Sequence, residues 1–192
     1  KGSVAEIAER AGVVEGTVYS YFPTRQALVM RVVADFYEAL IADVESGLRA
    51  IRRCEDRLRF LIARHLQVFV QDLGICRLVL SEIRPDPDLY DDGMRALNRR
   101  YTNIALGVIK QGIRDGELRE DAAPLVLRDL IFGGIEHALW RRLTTGSAAR
   151  IETLGEQLAD AVWLGAGARP RSEVVERLER AVASLERATE AG

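Results

Sequence analysis

Apolar residues recur along this chain at spacings of three and four for most of its length, and no stretch alternates apolar with polar as a half-buried strand does. The pattern predicts an all-α protein. A first helix is expected over about Val4 to Ala11, with Val4, Ile7, Ala8 and Ala11 on one face and Ser3 at its N-cap. Gly12 breaks it, and a short second helix covers roughly Glu15 to Tyr21, stopping before Pro23. Thr24 then caps a long helix in which Leu28, Val32, Phe36, Leu40, Val44 and Leu48 recur at every fourth residue. At a rise of 1.5 Å per residue it runs for about 37 Å.

Downstream, Leu58, Leu61, Ile62, Leu66, Phe69 and Leu73 mark a helix from Asp56 onward. Another segment, Cys76 to Ile83, ends at the Pro85-Asp86-Pro87 break. A run from Leu89 to about Arg114 carries Met94, Leu97, Tyr101, Ile104 and Val108, and the turn Asp115-Gly116 closes it. Two further helices, about Ala122 to Leu143 and Ser147 to Leu164, are apolar over wide arcs. A final amphipathic segment places Val175, Leu178, Val182 and Leu185 on one seam, too short for a coiled coil and expected to pack on the body.

Composition narrows the function. With 192 residues, 48% of them hydrophobic, the chain can build one or two domains with a real core. Its net charge of −2 gives no global pull toward nucleic acid, so any polyanion binding must be local. No apolar run reaches the roughly 18 residues a membrane helix needs, and no signal peptide is visible, so a cytoplasmic protein without membrane contact is expected. Cys54 and Cys76 are too few for a disulfide framework, and His65 and His137 show no metal-ligand spacing. No nucleophile with a neighbouring base, paired acid motif or Gly-rich phosphate loop is present. Asp91-Asp92-Gly93 and Asp115-Gly116-Glu117 read as acidic turns, not calcium loops. Neither an enzyme nor a metal or cofactor is expected.

The first 25 residues carry the chemistry. A helix-turn-helix needs a small residue where its helices touch, a residue tolerant of positive φ in the turn, and apolar anchors on both sides. Ala8, Gly12, and Val13 with Val18 fill those roles. With one face of the second helix pinned, the other carries Glu15, Gly16, Thr17, Ser20 and, at its end, Tyr21, able to bond base edges and phosphates in a major groove. The competing reading is an ordinary helical corner whose tyrosines pack. Against it stands the concentration of Thr17, Tyr19, Ser20 and Tyr21 where a solvated corner would carry Lys and Glu pairs. Steering charge is weak: residues 1 to 31 hold Lys1, Arg10, Arg25 and Arg31 against Glu6, Glu9 and Glu15.

The stretch SVAEIAERAGVVEGTVYSYFPTRQAL resembles the DNA-binding segment of the tetracycline-repressor (TetR) family of bacterial regulators. The resemblance implies an N-terminal helix-turn-helix domain over residues 1–48, including the connecting long helix, with the family's first helix absent. It further implies an all-helical ligand-binding and dimerisation domain over 49–192. DNA contacts are implied at Ser3, Glu15, Gly16, Thr17, Tyr19, Ser20, Tyr21 and Arg25, the last standing where the family usually has a phosphate-binding lysine. At Val14 the family often has a hydroxyl, so no contact is expected there. The implied function is a repressor bound as a homodimer to a palindromic double-stranded operator, with half-sites about 34–36 Å apart or a multiple of one turn.

For the dimer interface, Leu130, Gly133, Gly134 and Ala138 form a small-residue strip on one helix, and Ile151, Leu154, Leu158 and Val162 an apolar face on the next. The competing reading buries both helices in one subunit's core. For an effector cavity the candidates are His65, Leu66, Phe69, Met94, Tyr101, Ile104 and Phe132, against a competing reading of each as plain core. The segments RRYTNIALGVIKQGIRDGELR and LRDLIFGGIE resemble the effector domains of TetR-type fatty-acid-degradation regulators, which implies a long-chain acyl-CoA that releases the DNA, with Arg99 and Arg100 as candidate phosphate contacts. A helical lipid- or small-molecule-binding module without DNA-binding activity remains the alternative.

Overall fold

The structure is a computed structural model that describes residues 3–146 and 151–168. It contains α1 (Val4–Ala11), α2 (Glu15–Tyr21), α3 (Arg25–Leu48), α4 (Cys54–Gln71), α5 (Leu73–Arg77), a π-helical turn (Leu78–Ile83), α6 (Asp92–Arg114), α7 (Pro124–Thr145) and α8 (Ile151–Ala166). Among the described residues there is no strand, only an isolated bridge between Leu118 and Gly167. The expected helix from Ser147 begins outside the described residues, as does the whole C-terminal seam at Val175, Leu178, Val182 and Leu185.

Helix ends follow local chemistry. The Ser3 hydroxyl accepts from the Glu6 amide while the Ser3 amide donates to the Glu6 carboxylate, a reciprocal capping box. Gly12 ends α1 at φ 70°, a left-handed conformation that costs glycine nothing. Thr24 caps α3 by accepting from the Ala27 amide, and Asp91 caps α6 by accepting from the Met94 amide. The latter cap moves the start of α6 to Asp92, three residues later than the apolar run suggested. Glu117 reaches across 63 positions to accept from the Cys54 amide at the head of α4, a long-range cap that local pattern could not reveal.

One core runs from Val29 on α3 to Ala166 at the end of α8. Its inner helix is α4, which packs on α3, α6, α7 and most extensively α8. Gly155 makes the closest approach possible: a Cβ there would stand 2.9 Å from Leu66 Cδ1. The long helix departs from its expected stripe. Val29, Val33 and Tyr37 are buried where Leu28, Val32 and Phe36 were anticipated, and Val32 is exposed. A strict four-residue repeat drifts by about 40° per step on a helix of 3.6 residues per turn, so it cannot remain on one straight face. The packed face instead follows 29, 33, 37, 40, 44 and 48, set by α6 and α4.

Candidate DNA-binding surface and effector cavity

At the amino-terminal end, α1 and α2 form the expected helical corner, touching each other closely. Val4 and Ala8 are buried, but the anchors are weaker than anticipated: Val13 is 41% exposed and Val18 only half-buried. No residue of α2 is buried, so Glu15, Gly16, Thr17, Tyr19, Ser20 and Tyr21 all lie open, Tyr21 at 77%. The Ser20 hydroxyl donates to the Thr17 carbonyl at 2.7 Å, which leaves its lone pairs to accept from outside. Ser3 uses a lone pair in its capping box and keeps its proton available as a donor. Val14 caps α2 without a side-chain bond and is exposed.

Arg25 has a neighbour within its own subunit. Its guanidinium lies 3.4 Å from the Glu82 carboxylate on the π-helical turn, and the adjacent Gln26 donates to the Asp88 carbonyl at 3.2 Å. The first turn of α3 is thus tied to the segment between α5 and α6. That role was invisible in sequence, because residues 57 and 62 positions apart are joined only by the fold.

Four of the seven expected effector residues converge. His65 and Phe69 on α4, Tyr101 on α6 and Phe132 on α7 surround a cavity of about 40 Å³, together with Tyr37, Val79, Leu80, Arg84, Asn98, Thr102, Glu136 and Leu139. The His65 ring stacks on Phe69 at 4.7 Å and meets Phe132 edge-on at 5.6 Å, and its Nδ1 lies 2.8 Å from the Tyr101 hydroxyl. An Arg84–Glu136 ion pair stands among the same lining residues. Burial, aided by the Arg84 charge, holds the His65 pKa down to about 3 from 6.5, so the ring is neutral. Burial likewise pushes the Tyr37 phenol up to about 12 and Tyr101 higher still.

The other three fall elsewhere. Leu66 lines a broad trough of about 810 Å³ between α4 and α8, with Phe60, Ala63, Val70 and Ala159, and with Arg59 bonded to Asp160. Met94 is sealed in the core and Ile104 packs along its edge. The trough is the larger space, but it is open to solvent and touches nothing near α1 or α2. Arg100 pairs with Glu38 on α3 at 2.6 Å, outside both spaces.

The expected dimer face divides in two. Ala138 and Val162 are buried inside the subunit, Leu154 and Leu158 pack partly against the core, and Leu158 sits where a Cβ on Gly134 would stand, 2.9 Å away. These side chains pack within their own subunit. Leu130 and Gly133 remain outside, Leu130 at 56% exposed, alongside Val126, Trp140 and Leu164, which the sequence reading did not single out. A shallow cleft lined by Leu130, Gly133, Leu158 and Ala161 runs between the two helices. Of Ile151 only its place at the head of α8 is described. A helical-wheel count of the 126, 130, 133, 137, 140 series would have found this ridge, at spacings of four, three, four and three.

Comparison with known proteins matches two family models, "Bacterial regulatory proteins, tetR family" over residues 1–32 and "Tetracyclin repressor-like, C-terminal domain" over residues 52–143. The fatty acid metabolism regulator protein of Bacillus subtilis is 24% identical over 139 residues, covering 72% of each chain. The transcriptional repressor KstR2 of Rhodococcus jostii is 23% identical over 166 residues, covering 81% of this chain and 76% of that one. Among solved structures, FadR of B. subtilis in complex with stearoyl-CoA superposes with a TM-score of 0.78 at 22% identity, over 84% of this chain and 87% of that one. The ketosteroid regulator KstR2 of Mycobacterium tuberculosis gives 0.70 at 19% identity, over 88% and 86%.

The depressed His65 pKa makes stability pH-dependent with a definite sign. The unfolded chain takes up a proton near pH 6.5 that the folded chain refuses until about pH 3, so stability is full above 6.5 and falls as pH drops through that window. Between pH 7 and pH 5 the loss should be about 2 kcal/mol. His65→Phe, which keeps a ring but cannot titrate, should flatten that part of the slope; urea midpoints at the two pH values measure the difference.

Proposed function

Because this chain belongs to the tetR family of bacterial regulatory proteins, we propose that it is a ligand-responsive transcriptional repressor, a cytoplasmic homodimer on a palindromic operator released by an apolar effector. In this reading residues 1–48 hold the DNA-reading corner and its connecting helix, and residues 49–192 the effector cavity and dimer face. The effector carries an acyl chain or a comparable apolar body, as the stearoyl-CoA bound to FadR does. No helix among the described residues is long and apolar enough to cross a membrane.

The observation that carries the reading is the double-sided placement of the π-helical turn. Val79 and Leu80 line the aromatic cavity, while Glu82, two residues on, holds Arg25 at the start of α3. A cavity of about 40 Å³ has room for little more than a water, so an acyl chain enters only by displacing a wall. The π-helical turn is the wall best suited to move, since its widened hydrogen-bonding register is less favourable than that of an α-helix. Movement there shifts the first turn of α3 and with it the outward face of α2. A ligand that fits only the displaced arrangement draws the population toward it.

Dimerisation uses the ridge of Val126, Leu130, Gly133 and Trp140 on α7 with Ala161 and Leu164 on α8. Two such helices from each subunit make a four-helix interface. Leu130→Glu should then shift the protein from dimer to monomer in sedimentation equilibrium; an unchanged dimer would place the interface elsewhere. On DNA, Thr17→Ala should cost about 1–3 kcal/mol at a single base pair of the operator and little at the others. Binding to a panel of single-base operator variants measures this, and an unaltered preference would remove α2 from the groove. Glu82→Gln should leave operator binding in place but raise the effector concentration needed for release, a coupling that gel shift against an acyl-CoA series reads directly.

A further inference from the structure

The cavity contains one polar atom whose chemistry is decided by its neighbours. Tyr101 is buried, and His65 Nδ1 is the partner its hydroxyl has, at 2.8 Å. A buried phenol proton left without an acceptor is costly, so the hydroxyl donates and Nδ1 accepts. A neutral imidazole that accepts at Nδ1 carries its proton on Nε2. That Nε2–H has no acceptor among the described residues, and His65 lines the cavity.

The other polar groups of the lining do not offer the same thing. The Thr102 hydroxyl donates to the backbone carbonyls of Asn98 and Arg99. Arg84 is held by Glu136. The Tyr37 hydroxyl and the Asn98 amide also line the cavity, but each can donate or accept and so selects for neither. His65 is a fixed donor, clamped by its stack on Phe69 and its bond to Tyr101, in walls that are otherwise largely aromatic and aliphatic.

We infer that His65 Nε2–H is the effector-recognition donor and that it selects an apolar ligand bearing a carbonyl oxygen, as in a thioester, ester or ketone, over its deoxygenated counterpart. This inference rests on the reading of the aromatic cavity as the effector site. It assigns the carbonyl to the cavity wall of α4 and the apolar remainder to the space opened beside Val79 and Leu80. A site built to donate to a buried oxygen penalises a ligand that lacks one, because the donor is then desolvated without a partner.

The test is a matched pair that differs in one oxygen: hexadecanoyl-CoA, a thioester, and S-hexadecyl-CoA, the corresponding thioether. The wild-type protein should bind the thioester about tenfold more tightly, the increment of a single well-made hydrogen bond. His65→Phe should bind the two alike, and His65→Gln, which restores an N–H donor, should recover part of the preference. Tyr101→Phe, which leaves Nδ1 without its donor and frees the imidazole to change tautomer, should narrow the gap while leaving His65 in place. Equal wild-type affinities, or a preference that survives His65→Phe, would overturn the carbonyl assignment and leave the acyl-effector reading standing. Binding of neither compound would bring down both.

Discussion

The first turn of α3 is held at two points, by the Arg25–Glu82 ion pair and by the Gln26 amide on the Asp88 carbonyl. In the proposed function, the connection between ligand and DNA runs through that junction and along α3. A helix of 24 residues is stiff over its length, so a small displacement at one end is delivered to the other with little loss. The ion pair is partly exposed and contributes little to stability. Its consequence is positional: it joins the π-helical turn, one wall of the cavity, to the start of α3.

The aromatic cluster extends the same connection into the core. Phe36 and Tyr37 on α3 meet Phe69 and Tyr101 at ring separations of 5.1 and 6.1 Å, and these in turn meet His65 and Phe132. Edge-on rings pack in a few preferred arrangements, not a continuum, which holds the cluster firmly in one geometry. A neutral histidine at its centre follows from burial beside a cation, since both effects disfavour the protonated ring. The site is therefore insensitive to modest acidification as a charge sensor, while remaining able to donate a hydrogen bond.

Near-neutral charge at the DNA-reading end agrees with the same division of labour. Arg31 is paired with Asp35 and Arg25 with Glu82, so long-range attraction to a duplex is weak and affinity must come from fitted contacts made by two subunits together. A regulator of that kind depends strongly on the spacing of its two reading helices. The exposed ridge on α7 and α8 sets that spacing in the proposed dimer, and its small residues, Gly133 and Ala161, permit a close crossing.

Periodicity and capping chemistry were enough to find the all-helical class, the bounds of α1 and α2, the glycine turn between them and the Thr24 cap, because each depends on residues within four positions of one another. The family resemblance was legible for the same reason, being carried by one contiguous motif. The exposure of the outer side of α2 was legible too, as the face left over once its partner helix was placed. Three things were not: which stripe of α3 is buried, which small residues of α7 and α8 face their own subunit, and what Arg25 touches. Each is a choice among neighbouring rotations of a helix, or among partners more than fifty residues away, and local propensity is nearly indifferent between them. Packing against the other helices makes that choice, which is why His65 and Tyr101 could be named from their spacing while the hydrogen bond that orients the imidazole belongs to the fold alone.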